Sequence, residues 1–196
     1  MANLDQQRQA EHAGRSAEIA SVLALGGRAN NLKGVENPDV VWGRTTGEGV
    51  WLPTKDGHRI RLALDAADAC GHTLSAGVRV FPGVASDTDM VAVTAFDGIA
   101  LLAVLHSPVA PPQFWYSISL PGDLILDAMP SGGFDVVHQY YGATVARINR
   151  PWASDSAYRP LAVDYVHGES TSLALEMNAA DASYPLVIGI IYRYCL

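Results

Sequence analysis

A chain of 196 residues, 49% hydrophobic and 17% charged, carries enough apolar material for one cored domain, which excludes general disorder. Its formal net charge of -7 excludes nucleic acid and anionic membrane surfaces as default partners, because both select basic surfaces. No apolar run approaches the roughly 18 residues of a membrane helix.

In chain order, residues 1–27 are predicted to form an N-terminal helix. Ile19, Val22 and Leu23 fall on one apolar face, and Gly26-Gly27 supply a stop. Residues 28–38 turn to Asn, Gly and Lys and read as a linker or extended arm. The start of the chain lacks a basic stretch followed by a clean apolar core, so no signal peptide is read there. That leaves a cytoplasmic protein, or a mature exported one whose leader has been replaced by Met.

Residues 39–196 read as short strands separated by turn residues. "HRIRLALD" alternates Ile60, Leu62 and Leu64 against Arg59, Arg61 and Ala63. "DMVAVTAFDGIALLAVLHS" is a hairpin with Asp97-Gly98 at its turn, and "DLILDAMPSGGFDVVHQ" a second with Pro130 to Gly133 at its tip. "FWYSISLPG" places Tyr116, Ile118 and Leu120 opposite Trp115, Ser117 and Ser119. Roughly ten to twelve strands with no phosphate-binding glycine loop predict an antiparallel β-sandwich or barrel-like domain behind one helix.

"RINRPWASDSAYRPLAVDY", residues 147–165, interrupts the alternation. Pro151 and Pro160 cannot donate to a ladder, and Ser154, Asp155 and Ser156 favour local turns. The expectation is a strand that leaves its sheet at Arg150-Pro151, crosses a corner and resumes near Leu161, with Trp152 capping the core.

Pro151, Trp152, Ala153 and Asp155, the strand pair "LAVDYVHGESTSLALEM" and the closing Tyr184-Pro185 carry a resemblance. Over about Val40 to Val187 the chain resembles a group of exported actinobacterial β-rich proteins of unassigned function. It departs from their Tyr-Pro-Val-Val-Ala-Asp-Pro ending, reading "LVIGIIYRYCL" after Tyr184-Pro185. The resemblance implies a β-rich fold and a secreted or cell-envelope location. It carries over no catalytic residue.

The six His (12, 58, 72, 106, 138 and 167) form no HxH, HExxH or HxxxH pair, so no local metal motif is present. No GxSxG elbow marks a nucleophile. Cys70-Gly71-His72 has a ligand-like spacing in a turn. The local acid/base neighbourhoods are His106-Ser107, Asp135 with His138 and Asp164 with His167. Residues three apart on a strand face opposite ways, so the last two pairs cannot act together without a bulge. Asp87, Asp89, Asp123 and Asp127 are the candidates for paired carboxylates. Cys70 and Cys195 could pair or stay free.

The aromatic surface candidates for binding are Trp115, Trp152, Tyr192 and Tyr194. The reading that follows is a non-enzymatic binding or structural module without metal or cofactor. It would meet a protein partner or another copy through the N-terminal helix and arm. The alternative is a hydrolase whose His/Asp site is assembled in a barrel mouth.

Overall fold

Apolar and polar residues alternate in runs cut by Gly, Pro and Asp, so backbone groups are satisfied between segments. The computed structural model describes residues 34–66, 68–167 and 171–194, and every regular element in them is a strand. The predicted N-terminal helix and residues 28–33 of the linker lie outside the described residues. Among the described residues no helix is long and apolar enough to cross a membrane.

The strands are β1 (Val41–Trp42), β2 (Val50–Pro53), β3 (Arg59–Leu64), β4 (His72–Ser75), β5 (Val78–Ala85), β6 (Thr88–Ala95), β7 (Gly98–Leu105) and β8 (Gln113–Ser119). They continue as β9 (Leu124–Met129), β10 (Gly133–His138), β11 (Thr144–Ile148), β12 (Trp152–Ser154), β13 (Pro160–Leu161), β14 (Val163–His167), β15 (Ser172–Met177) and β16 (Leu186–Arg193). A six-stranded sheet runs β1-β2-β3-β8-β15-β14. A ten-stranded sheet runs β4-β5-β6-β7-β16-β11-β10-β9, with β12 alongside β16 and β13 on β12. Every pairing is antiparallel and neither sheet closes on itself, so the fold is two packed sheets and not a barrel.

The main core lies between the sheets. Phe114, Tyr116 and Ile118 of β8 point into it, while Ser117 and Ser119 face solvent, as the alternation predicts. From the facing sheet, β16 contributes Leu186, Ile188, Ile190 and Tyr192. Each large side chain fully removed from water, such as Leu52 or Ile60, contributes roughly 1.5–3 kcal/mol. Most of the intervening positions of β5, β6, β7 and β16 are apolar as well. Val91, Val93, Leu102, Val104, Val187 and Ile191 form a second buried cluster on the other face of the large sheet. The unbroken run "GIALLAVL" therefore serves both faces, as strands buried on two sides do.

Both predicted hairpins form, but the β6–β7 turn is Phe96-Asp97, one residue before the expected Asp97-Gly98, with Gly98 already paired to Ala95, and the β9–β10 loop is residues 130–132, with Gly133 paired to Met129. The proline segment departs from expectation. The chain does not leave its sheet at Pro151: β12 rejoins β16, pairing Trp152 with Gly189 and Ser154 with Val187. It crosses to the other sheet only after Asp155, through β13 into β14. Asp155 is fully buried and fixes this turn, accepting the amide N–H groups of Ala157 and Arg159 at 2.9 Å and the Arg159 guanidinium at 2.8 Å. Trp152 does not cap the core between the sheets. It packs on the second cluster, over Gly189.

The described end of the arm is tied down. Val35 donates its N–H to Thr94 O at 2.9 Å and accepts the Thr94 hydroxyl at 2.5 Å. Two links fasten the end of β2 to the ten-stranded sheet. The Tyr192 hydroxyl donates to Pro53 O at 2.8 Å, and Lys55 N–H donates to Val145 O at 3.2 Å. The turn after β2, which carries Asp56 and His58, is thereby held against β11 and β16.

Candidate functional site

Three turns meet at one end of the sandwich. In the first, between β2 and β3, Thr54 N–H donates to His58 O at 3.0 Å and Gly57 N–H to Thr54 O at 3.1 Å. The second leads into β9. Leu124 pairs with His138 in the ladder, so Asp123, one residue earlier, arrives beside the end of β10. Gln139 N–H donates to Asp123 O at 3.0 Å and its side chain to Gly122 O at 3.1 Å, which locks that approach. The third turn, after β10, is closed by His138 N–H to Ala143 O at 3.0 Å and Gly142 N–H to His138 O at 2.8 Å. Gly57 and Gly142 sit at φ of 87° and 65°, where a side chain is strained.

Asp56, Asp123, His58 and His138 converge there. His58 Nδ1 lies 3.0 Å and His138 Nε2 2.5 Å from the same oxygen, Asp56 Oδ2. The opposite ring nitrogens face Asp123 Oδ2: His138 Nδ1 at 3.3 Å and His58 Nε2 at 3.8 Å. Two imidazoles thus stand between two carboxylates, their ring centres 5.7 Å apart. One donor atom from each of Asp56, His58 and His138 lies within 4.8 Å of the others. His138 is the most enclosed, its side chain 14% exposed against 39% for His58. Its Nδ1 is cut off from solvent and lacks a hydrogen-bond partner.

Partial burial works to raise the Asp56 carboxyl, but hydrogen bonds from Thr54, His58 and His138 outweigh it and hold it well below the ordinary carboxylate range. Its Oδ1 accepts the Thr54 hydroxyl at 2.5 Å. The hydrogen bond to Asp56 raises the His58 imidazole above its usual value, against some desolvation and with help from the charges of Asp56 and Asp123. Asp56 is therefore an anion at neutral pH, with both rings aimed at it.

Two tyrosines stand over the cluster. Tyr141 meets the His138 ring edge-on at 5.8 Å, and Tyr140 meets Tyr141 at 6.4 Å. They are 81% and 74% exposed, an unusual placement for two adjacent aromatics.

The aromatic candidates read from sequence lie elsewhere. Tyr192 is 1% exposed and is no surface residue: its ring belongs to the main core and its hydroxyl bonds Pro53 O. Tyr194 is half-buried, donating to Phe96 O at 2.5 Å and accepting from Asn37 Nδ2 at 2.5 Å. Trp115 and Trp152 are partly buried, Trp115 on the outer face of β8 and Trp152 on the second cluster.

The local acid/base neighbourhoods are also spent. Asp135 pairs with Arg147 at 2.6 Å while His138, three residues on, reaches the other turns. Buried Asp89 accepts Gly83 N–H at 2.8 Å and faces His106 at 3.1 Å, and Asp87 accepts the Ser107 hydroxyl at 2.5 Å. Asp164 lies 3.6 Å from Arg150. Cys70 is exposed with a free thiol. Of the cluster, His138 and Asp123 are separate candidates in the sequence, and His58 is only one of six scattered histidines. Asp56 is not singled out there, although Asp56-Gly57-His58 sets a carboxylate and an imidazole two apart in a glycine turn.

No family model, curated protein or solved structure matches this chain. Its function has to be argued from the cluster itself.

Proposed function

We propose that the protein is a non-catalytic binding module whose recognition surface is the end of the sandwich that carries Tyr140 and Tyr141. The exposed tyrosine pair, seated on a histidine that two carboxylates hold, is the observation behind this reading. Tyrosine side chains have few torsions to freeze, so a pair on a fixed base offers large contact area at low entropic cost. The acidic, aromatic rim favours a partner protein that presents cationic groups, through charge pairing and contact with ring faces. An exported or envelope-associated setting belongs to the same proposal and rests on the likeness carried by Pro151, Trp152 and Ala153.

The test is quantitative capture from an extract of the source organism with the intact chain, Tyr140→Ala/Tyr141→Ala and Phe96→Ala. Phe96 is 77% exposed in the turn of a different hairpin and serves as the control. Loss of one defined partner with the tyrosine variant alone supports the surface. Equal capture by all three proteins refutes it.

A second reading, water-activating hydrolysis, draws on the same cluster, since two imidazoles between carboxylates are suited to general acid–base work. Among the described residues the one hydroxyl bonded to the cluster, that of Thr54, is committed to Asp56, so the nucleophile would be water. Turnover of a chromogenic ester, phosphoester or glycoside that disappears in His138→Ala would establish this reading. No turnover on any of them sinks it.

A further inference from the structure

We propose that His58 is a proton-operated clasp. While both its ring nitrogens carry protons it ties the turn after β2 to the turn before β9, and when one proton leaves, the tie opens and the base under Tyr140 and Tyr141 loosens. The clasp regulates the tyrosine-bearing end and rests on the reading of that end as a recognition surface for one point, its effect on a partner.

His58 stands between two acids. Its Nδ1 lies 3.0 Å from Asp56 Oδ2 and its Nε2 3.8 Å from Asp123 Oδ2. An ionised carboxylate only accepts, so a ring in this position suits both acids only as imidazolium, with an N–H on each side. In the neutral ring one nitrogen is a lone pair, and it repels whichever carboxylate it faces.

The titratable groups that face His58 are Asp56 from its own turn, Asp123 from the turn before β9 and His138 from the end of β10. Among the described residues no Lys or Arg pairs with either acid, so their counter-charge has to come from the imidazoles. His138 meets the same two oxygens at 2.5 and 3.3 Å, but it is 14% exposed and its Nδ1 makes no hydrogen bond. His58, 39% exposed, is the ring that exchanges protons with solvent directly.

Both acids lead to the tyrosines. The backbone carbonyl of Asp123 accepts Gln139 N–H at 3.0 Å, and Gln139 directly precedes Tyr140. Asp56 meets His138, whose ring carries Tyr141 edge-on at 5.8 Å. The clasp therefore joins the six-stranded sheet, through β2 and β3, to the ten-stranded sheet, through β9 and β10, where the tyrosine turn begins.

The hydrogen bond to Asp56, with the charges of Asp56 and Asp123, lifts the His58 imidazole against some desolvation. A group raised on folding contributes stability that is fully present below its unfolded value, about 6.5, and is lost as pH rises through the folded one. The clasp is thus shut in mildly acid solution and opens as pH climbs. Linkage sets the size: each unit between the two values changes the local opening constant about tenfold.

The experiment uses the intact chain. NMR follows the His58 ring protons from about pH 5 to 9, and hydrogen exchange gives the protection of the Gln139 and Gly142 amides over the same range. The expected result is a His58 midpoint above about 6.5 that drops in Asp56→Asn and in Asp123→Asn. Protection should fall with rising pH by the factor that midpoint sets, and the fall should flatten in His58→Gln, which takes up no proton. His72→Ala, an exposed imidazole elsewhere, should keep the full dependence.

A His58 midpoint at or below about 6.5 overturns the clasp. So does a protection whose pH dependence is the same in His58→Gln as in the intact chain. Should Asp56→Asn fail to fold by circular dichroism, Asp123→Asn, on a turn residue 36% exposed, carries the test. Partner capture is read separately, so the clasp and the tyrosine surface can fail independently.

Discussion

Removing one oxygen atom from the centre of the core should make this protein more stable. Tyr116, on β8, is fully buried between the sheets, and its hydroxyl has no hydrogen-bond partner. Burial alone pushes its phenol pKa well above the ordinary value, as expected where no donor sits nearby to stabilise the phenolate. A buried polar group left unsatisfied costs about 1–3 kcal/mol, whereas the packing lost with a single oxygen is small. Tyr116→Phe should therefore stabilise the fold by about 1–2 kcal/mol. For a chain of this length that raises Tm by roughly 2–8 °C. Tyr192 supplies the internal contrast. It is equally buried, but its hydroxyl donates to Pro53 O at 2.8 Å, and Tyr192→Phe should cost about 1 kcal/mol and lower Tm. Scanning calorimetry and urea denaturation with unchanged slope are the assays. Equal losses of Tm in both variants would refute the reasoning, because Tyr116 would then be making a bond as useful as that of Tyr192.

Asp155 should govern part of the acid limb of stability. Its burial works to raise the carboxyl, but hydrogen bonds from the Arg159 amide and side chain and the Ser183 amide outweigh that and hold its pKa low. A carboxyl depressed in the folded state contributes stability that is present above the unfolded value of about 3.9 and is lost as pH falls through the folded one. Asp155→Asn should lower Tm at pH 7 and flatten its fall below pH 4, and an unchanged acid limb would remove Asp155 from the account. At Gly189, an added Cβ would stand 2.7 Å from the Leu102 side chain and 3.2 Å from the Trp152 ring. Gly189→Val should therefore cost about 1–3 kcal/mol by overpacking, unless the Trp152→Ala background makes room and restores part of it.

Strand identity came largely from local pattern. In β8 the alternation alone separates Phe114, Tyr116 and Ile118 from Ser117 and Ser119, and the Asp97-Gly98 signal finds the β6–β7 turn to within one residue, the turn itself being Phe96-Asp97. Pattern misled where two outcomes share one local signal. Pro151 breaks a ladder whether the chain changes sheets or only bulges, and here β12 resumes on the same neighbour, β16. Tyr192 and Tyr194 do share a face, but alternation cannot say which face is buried on a strand apolar on both sides.

The sequence by itself determined a β-rich chain, its two main hairpins, the inward residues of strands with one wet face, and an acidic surface. Those follow from backbone pairing and the two-residue period, which are local. Only the tertiary structure decided the sheet order, the second buried face, and the meeting of Asp56 and His58 with Asp123 and His138. Those turns are some 80 residues apart in sequence, and no spacing rule reaches that far. The docking of β2 on the large sheet through Pro53 O and Val145 O brings them within hydrogen-bonding distance.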